Sequence, residues 1–88
     1  MHLLTTVRPS YPEMLRSAGI DGRVVVQFTV DTVGRVDMAS VRILSSTHDQ
    51  FTRSVLDALR RFRFQPAQVA GHRVSALAEM PFDFQIAR

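Results

Sequence analysis

The stretch Val74-Ser75-Ala76-Leu77-Ala78-Glu79-Met80-Pro81-Phe82-Asp83-Phe84-Gln85-Ile86 alternates apolar and polar residues over most of its length. Ala76, Ala78, Met80, Phe82, Phe84 and Ile86 fall on one face, and Ser75, Glu79, Asp83 and Gln85 on the other. A period of two is the signature of a half-buried strand. Pro81 lies inside it and has no N–H to give to a ladder, so the strand is expected at a sheet edge or at a bulge. Residues 74–86 are therefore read as an outer strand.

Upstream, Val24, Val26, Phe28 and Val30 share one parity while Arg23, Gln27 and Thr29 share the other, which predicts a second strand. Asp31-Thr32-Val33-Gly34 follows as a turn, since Asp can bond its own backbone and Gly tolerates positive φ. In the strand after it, Val36 and Met38 lie on one parity and Val41 and Ile43 on the other. One extra residue near Ala39 and Ser40 accounts for the change, and a β-bulge is expected there. Helices are expected on either side of this hairpin. Ser10 with Glu13 reads as a capping box, Pro12 suits a first turn, Tyr11, Leu15 and Ala18 repeat at helical spacing, and Gly19 closes the segment. Ser46 or Thr47 is expected to cap a helix whose apolar stripe is Phe51, Val55, Ala58, Leu59 and Phe62. Pro66 and Gly71 mark a loop after it. Residues 1–8 show no sustained periodicity and read as a linker end or a cloning remnant, with the domain spanning 9–88.

The order is thus α-β-β-α-β, an α+β fold. A tight turn makes the first two strands antiparallel neighbours, and a helical crossover returns the third parallel to the second, beside the first. The expected sheet is three-stranded and antiparallel in the order 2-1-3, with both helices on its apolar face. The last strand then has one open edge, whose unpaired backbone groups can template another chain.

Composition agrees with one small folded domain. The chain has 88 residues, 45% hydrophobic and 22% charged. It contains no cysteine, which excludes a disulfide framework and a thiol nucleophile. No apolar run reaches the length of a membrane span and no signal-peptide pattern is present, so any anchor is expected outside these residues. All eleven basic residues are arginine, against eight acids, for a net charge of +3, too weak to be a nucleic-acid footprint.

A series of short motifs resembles the TonB C-terminal domain family over Pro9 to Ile86. It comprises Tyr11-Pro12, Gly19-Ile20-Asp21-Gly22 before the Val-rich strand, Asp31-x-x-Gly34-Arg35-Val36, Leu44-Ser45-Ser46, Arg61-Phe62-Arg63-Phe64-Gln65-Pro66 and Pro81-Phe82-x-Phe84. Their order and spacing carry the resemblance. It implies a periplasmic domain of an inner-membrane-anchored energy transducer. Its last strand would pair with the TonB box, a short peptide of outer-membrane transporters that import siderophores, vitamins or metal chelates. Inner-membrane motor proteins would act through a region preceding this segment. Mapped onto this chain, the peptide-binding residues are Ser10, Tyr11 and Pro12 together with Val74, Ser75, Ala76, Leu77, Ala78, Glu79, Met80, Phe82 and Phe84. Ser10 stands where the best-known transducer has Gln, and Phe62 where many members carry Trp.

Other chemistry is weighed against plainer roles. On sequence alone, Tyr11 and Pro12 read equally as a packed helix start or as ligand contacts, and the resemblance implies contact. His2, His48 and His72 lack metal-ligand spacing, and Ser45, Ser46 and His48 read as turn and cap residues rather than a nucleophile and its base. No catalytic residue, metal or cofactor is expected. Arg60, Arg61 and Arg63 interleaved with Phe62 and Phe64 suggest a nucleic-acid patch, but helix-end cations beside a core stripe explain them better. The alternative function is a structural or self-associating module in which the open edge pairs with a second copy, or a relative serving secretion, sensing or cell-wall binding.

Overall fold

The sheet is organised around β2 (Gly22–Val30), whose Val24, Val26, Phe28 and Val30 are almost completely buried. The computed structural model describes residues 1–5 and 7–86. β3 (Val36–Ser46) runs antiparallel on one side of β2, and β7 (Ala76–Phe84) antiparallel on the other, so the expected 2-1-3 order is the observed one. The turn between β2 and β3 is built by Asp31. Its Oδ1 accepts the N–H groups of Val33 (3.0 Å) and Arg35 (2.9 Å), and its own N–H donates to the Arg35 carbonyl (2.8 Å). Gly34 completes the turn at φ 87°, in the left-handed region where a side chain is disfavoured.

Helix α2 (Asp49–Leu59) lays Phe51, Val55, Ala58 and Leu59 on the sheet, and Phe62 continues that stripe into the core beyond the helix end. Helix α1 (Glu13–Ser17) is a single short helix that contributes Leu15. Gly19, at φ 71°, ends it, with the Ile20 N–H returning to the Leu15 carbonyl (2.9 Å). The expected caps do not form. Pro12 occupies the N-cap of α1 and His48 that of α2, neither with a side-chain cap bond. Thr47 Oγ1 instead accepts the Arg23 N–H (3.1 Å), and Ser46 Oγ takes a hydrogen bond from Thr52 (2.6 Å) and donates to the His48 carbonyl (3.0 Å).

The bulge in β3 lies where expected but is larger than one residue. Met38, Ala39, Ser40 and Val41 stand opposite the single residue Phe28, between the Thr29–Asp37 and Gln27–Arg42 pairs. Ser40 makes this possible by acting for the missing backbone. Its Oγ accepts the Thr29 N–H (2.8 Å) and donates to the Asp37 carbonyl (2.6 Å). Leu44 forms a second, single-residue bulge between Ile43 and Ser45.

Two segments depart from expectation. Residues 2–5, read as linker, form β1 (His2–Thr5), which pairs with β4 (Arg63–Gln65). The presumed loop after Pro66 is a hairpin of β5 (Ala67–Val69) and β6 (His72–Val74), turned by Ala70 and Gly71, both at positive φ. Val74 therefore belongs to β6, where it pairs with Ala67, and Ser75 separates it from β7. The outer strand is Ala76–Phe84, shorter than 74–86.

Candidate functional site

Which backbone groups β7 offers to solvent follows from the strand beside it. Arg23 of β2 turns both of its backbone groups away from β7, with its N–H on Thr47 Oγ1 and its carbonyl accepting the Thr47 N–H (3.2 Å). The Thr29 N–H likewise points to Ser40 on β3. Because backbone groups alternate sides along a strand, the odd-numbered residues of β2 serve β3, and Val24, Val26 and Phe28 serve β7. Their partners are Phe82, Met80 and Ala78. Val25 and Pro81 therefore form a pair that needs no hydrogen bond, and the proline nitrogen faces the open side. That is how nine consecutive residue pairs run through a proline without a register shift.

The same alternation assigns the open side of β7. It presents the N–H groups of Leu77, Glu79 and Asp83 and the carbonyls of Leu77, Glu79, Pro81 and Asp83. Among the described residues no strand pairs with this side. The opposite edge of the sheet is a poorer template. β3 carries both bulges, and beside its start Arg35 bridges to Arg63 while the Phe64 N–H donates to the Gly34 carbonyl (2.8 Å).

Side chains on the β7 edge divide by parity. Ala78, Met80 and Phe82 are half-buried toward the helices, so they leave an apolar step at the sheet margin, while Leu77, Glu79, Pro81 and Asp83 are exposed on the other face. Ala76 is half-buried at the start of the strand. Phe84 lies in the core, stacked on Phe51 with ring centres 4.3 Å apart. Asp83 approaches Arg23 at 3.7 Å with both side chains more than half exposed, an ion pair worth little in water.

Next to the C-terminal half of β7 lies an open groove of about 880 Å³, walled by Arg8, Pro9, Ser10 and Tyr11 on one side and by residues 82–86 on the other, with Arg16 at its margin. Tyr11 fixes that wall. Its hydroxyl donates to the Ile20 carbonyl, and its ring stands edge-on to Phe51 (5.5 Å, 85°) and to Phe84 (5.7 Å, 86°). Pro12 starts α1, and its carbonyl accepts the Arg16 N–H (2.9 Å). Ser10 is exposed in the groove. At the far end, the Ile86 N–H donates to Asp21 Oδ1 (3.0 Å), tethering the chain that leaves β7. Arg8 and Arg16 make no ion pair with any described residue, and with Asp83 the only acid in the lining, itself beside Arg23, cationic groups outnumber anionic ones in the groove.

Sequence reading thus assembles Ser10, Tyr11, Phe82 and Phe84 around one groove and Ala76 to Met80 along one edge. Val74 and Ser75 lie outside the strand. It missed Asp83, an edge donor legible from the parity of Leu77 and Glu79, and it missed Arg8 and Arg16, which no local pattern marks. The remaining candidates are scattered. His2 is in β1, His48 packs edge-on against Phe51 and His72 is in β6. No group of three or more metal-ligating side chains occurs among the described residues. Phe62 and Phe64 are buried, which removes the stacking platforms from the arginine-rich run. No helix among the described residues is long and apolar enough to cross a membrane.

The chain is similar to known proteins in sequence and in fold. The family model for the Gram-negative bacterial TonB protein C-terminal matches residues 7–86. Protein TonB of Pseudomonas aeruginosa is 38% identical over 79 residues, 89% of this chain and 22% of that protein. Protein TonB of Escherichia coli K12 is 39% identical over 66 residues, 74% of this chain and 27% of that protein. The chain therefore spans about a quarter of the length of these relatives. The solution structure of the Pseudomonas aeruginosa TonB C-terminal domain superimposes with a TM-score of 0.84 at 36% identity, covering 98% of this chain and 86% of that one. A structure of the TonB2 protein of Vibrio anguillarum gives a TM-score of 0.67 at 26% identity, over 100% and 83% of the two chains. With the family model, the relatives and the superimposed structure all matching over most of its length, this chain belongs to the family of Gram-negative bacterial TonB C-terminal domains.

Proposed function

We propose that this domain is the periplasmic, peptide-binding end of a TonB-type energy transducer. The open side of β7 takes up the TonB box of an outer-membrane transporter as an additional strand, and the groove at Tyr11 receives the flanking side chains. The observation that carries this reading is the contrast between the two sheet edges. β7 is regular over nine residues with three N–H groups and four carbonyls facing outward, whereas β3 is broken by two bulges. An added strand gains backbone hydrogen bonds from Leu77, Glu79 and Asp83, and its apolar side chains extend the step formed by Ala78, Met80 and Phe82. Arg8 and Arg16 favour a peptide that carries an acidic group at the groove end.

Mechanical coupling follows from this geometry. A strand added along β7 is held by a row of hydrogen bonds, and β7 is itself locked to the central strand by an unbroken ladder, so tension passes into the core. Segments of a full-length transducer outside these 88 residues would connect to the inner-membrane motor, and transporters so served would import siderophores, vitamins or metal chelates. The domain acts by binding, with no catalytic residue, metal or cofactor.

Titration of the 15N-labelled domain with a synthetic TonB-box peptide tests the reading. Amide shifts are expected to concentrate on Leu77, Glu79, Asp83 and the groove wall at Ser10 and Tyr11. Shifts centred on β3, or none at millimolar peptide, would contradict it.

A further inference from the structure

An open edge that accepts a foreign strand must also refuse a copy of itself. We propose that Pro81 makes the β7 edge selective for a strand from a different protein, by removing the donor that a second copy of β7 would need at the centre of a two-fold pairing. This rests on the reading of β7 as a docking edge.

Symmetry decides the effect. Two copies of β7 paired antiparallel over their full length place the two-fold axis beside Met80, because only residues 77, 79, 81 and 83 face outward. Leu77 then lies opposite Asp83 of the second copy, and Glu79 opposite its Pro81. Each of these pairs occurs twice, so one proline per chain is met two times. Both central pairs lose one of their two hydrogen bonds, and both press a pyrrolidine ring against the Glu79 carbonyl. The Glu79 carboxylates of the two copies also become diagonal neighbours on the exposed face, where like charges repel. Shifting the axis beside Ala78 avoids Pro81 but leaves only Leu77 and Glu79 to pair, too short a ladder to hold two domains together.

A strand from another protein is free of this symmetry. It meets Pro81 once, uses all three donors and all four carbonyls of the edge, and leaves only its own carbonyl opposite the ring in solvent. Its sequence can also avoid an acid next to Glu79. Each hydrogen bond lost weakens pairing about fivefold, equivalent to about 1 kcal/mol, so the two central losses disfavour the homodimer by about 25-fold before ring and charge repulsion are added.

The test is sedimentation velocity over a concentration series without peptide. Wild type is expected to remain monomeric, and Pro81→Ala to dimerise at least about 25-fold more tightly, with slowed amide exchange at Leu77 and Glu79. Pro81 is exposed and its nitrogen serves no bond in the sheet, so alanine fits the fold. Adding Glu79→Pro to Pro81→Ala moves the missing donor to the other half of the same central pair and is expected to restore the monomer. A monomeric Pro81→Ala variant with unchanged exchange would overturn the proposal. So would a wild type that itself dimerises with Leu77 and Glu79 protected, whatever the variants do. Since no peptide is present, either failure leaves the docking reading standing, while failure of peptide binding would remove the docking edge without changing the self-pairing that this experiment reads.

Discussion

Pro81 stands opposite Val25 in the one kind of strand pair that asks nothing of its nitrogen. This single relationship keeps the β2–β7 ladder whole while turning the defect outward. The consequence is an edge strand that is rigid from behind and asymmetric in front, with a donor missing between Glu79 and Asp83.

Tyr11 ties the groove wall to the core through its hydroxyl on the Ile20 carbonyl and its ring between Phe51 and Phe84. Tyr11→Phe keeps the ring and removes the bond. Stability should fall by about 1–2 kcal/mol, the usual cost of stranding a part-buried acceptor. Urea unfolding reads this directly. A larger loss for Tyr11→Ala, together with weakened peptide binding, would reflect collapse of the groove wall.

Two glycines separate backbone strain from collision. Gly34 and Gly19 both have positive φ, but a Cβ at Gly34 would lie 2.0 Å from the Phe64 carbonyl oxygen, while nothing lies within 4 Å of one at Gly19. Gly19→Ala should cost on the order of 1 kcal/mol from conformation alone. Gly34→Ala adds a backbone clash and endangers the Phe64–Gly34 hydrogen bond, so a loss of about 3 kcal/mol or more, or failure to fold, is expected. Equal midpoints in urea for the two variants would refute the distinction.

Ser40 replaces a backbone acceptor at the wide bulge of the central sheet, where its Oγ takes the Thr29 N–H. Ser40→Ala should therefore strand the Thr29 N–H, lowering stability by about 1–2 kcal/mol. Hydrogen exchange at Thr29 should accelerate while that of Val26 and Phe28, which point to β7, stays slow. Unchanged exchange at Thr29 would mean that another group takes the N–H when Ser40 is absent.

Much of this architecture is legible in the sequence because it rests on local periodicity. The alternation of Val24 to Val30, the helical stripe of Phe51 to Phe62 and the proline in the last strand suffice for the 2-1-3 order and for the open edge. What escaped depends on distant partners or on unfavoured turn chemistry. β1 exists only because residues 63–65 come to lie beside it, and a short four-residue strand shows no period of its own. The β5–β6 hairpin turns on Ala70 at φ 50°, where Asn or Asp would have signalled it. Ser10 and Glu13 have capping-box spacing, but the helix begins at Glu13 itself with Pro12 as its N-cap, so the box has no N-cap serine to use. The groove combines residues 8–16 with residues 82–86, and no local pattern joins the two.

The alternating backbone of β7 gives the sharpest measurement: amide hydrogen exchange along residues 77–83, in the free domain and with a TonB-box peptide. In the free domain, Ala78, Met80 and Phe82 should exchange slowly and Leu77, Glu79 and Asp83 quickly. In the complex all six should be slow. If Leu77, Glu79 and Asp83 stay fast in a demonstrated complex, or are already slow in the free monomer, β7 is not the docking edge.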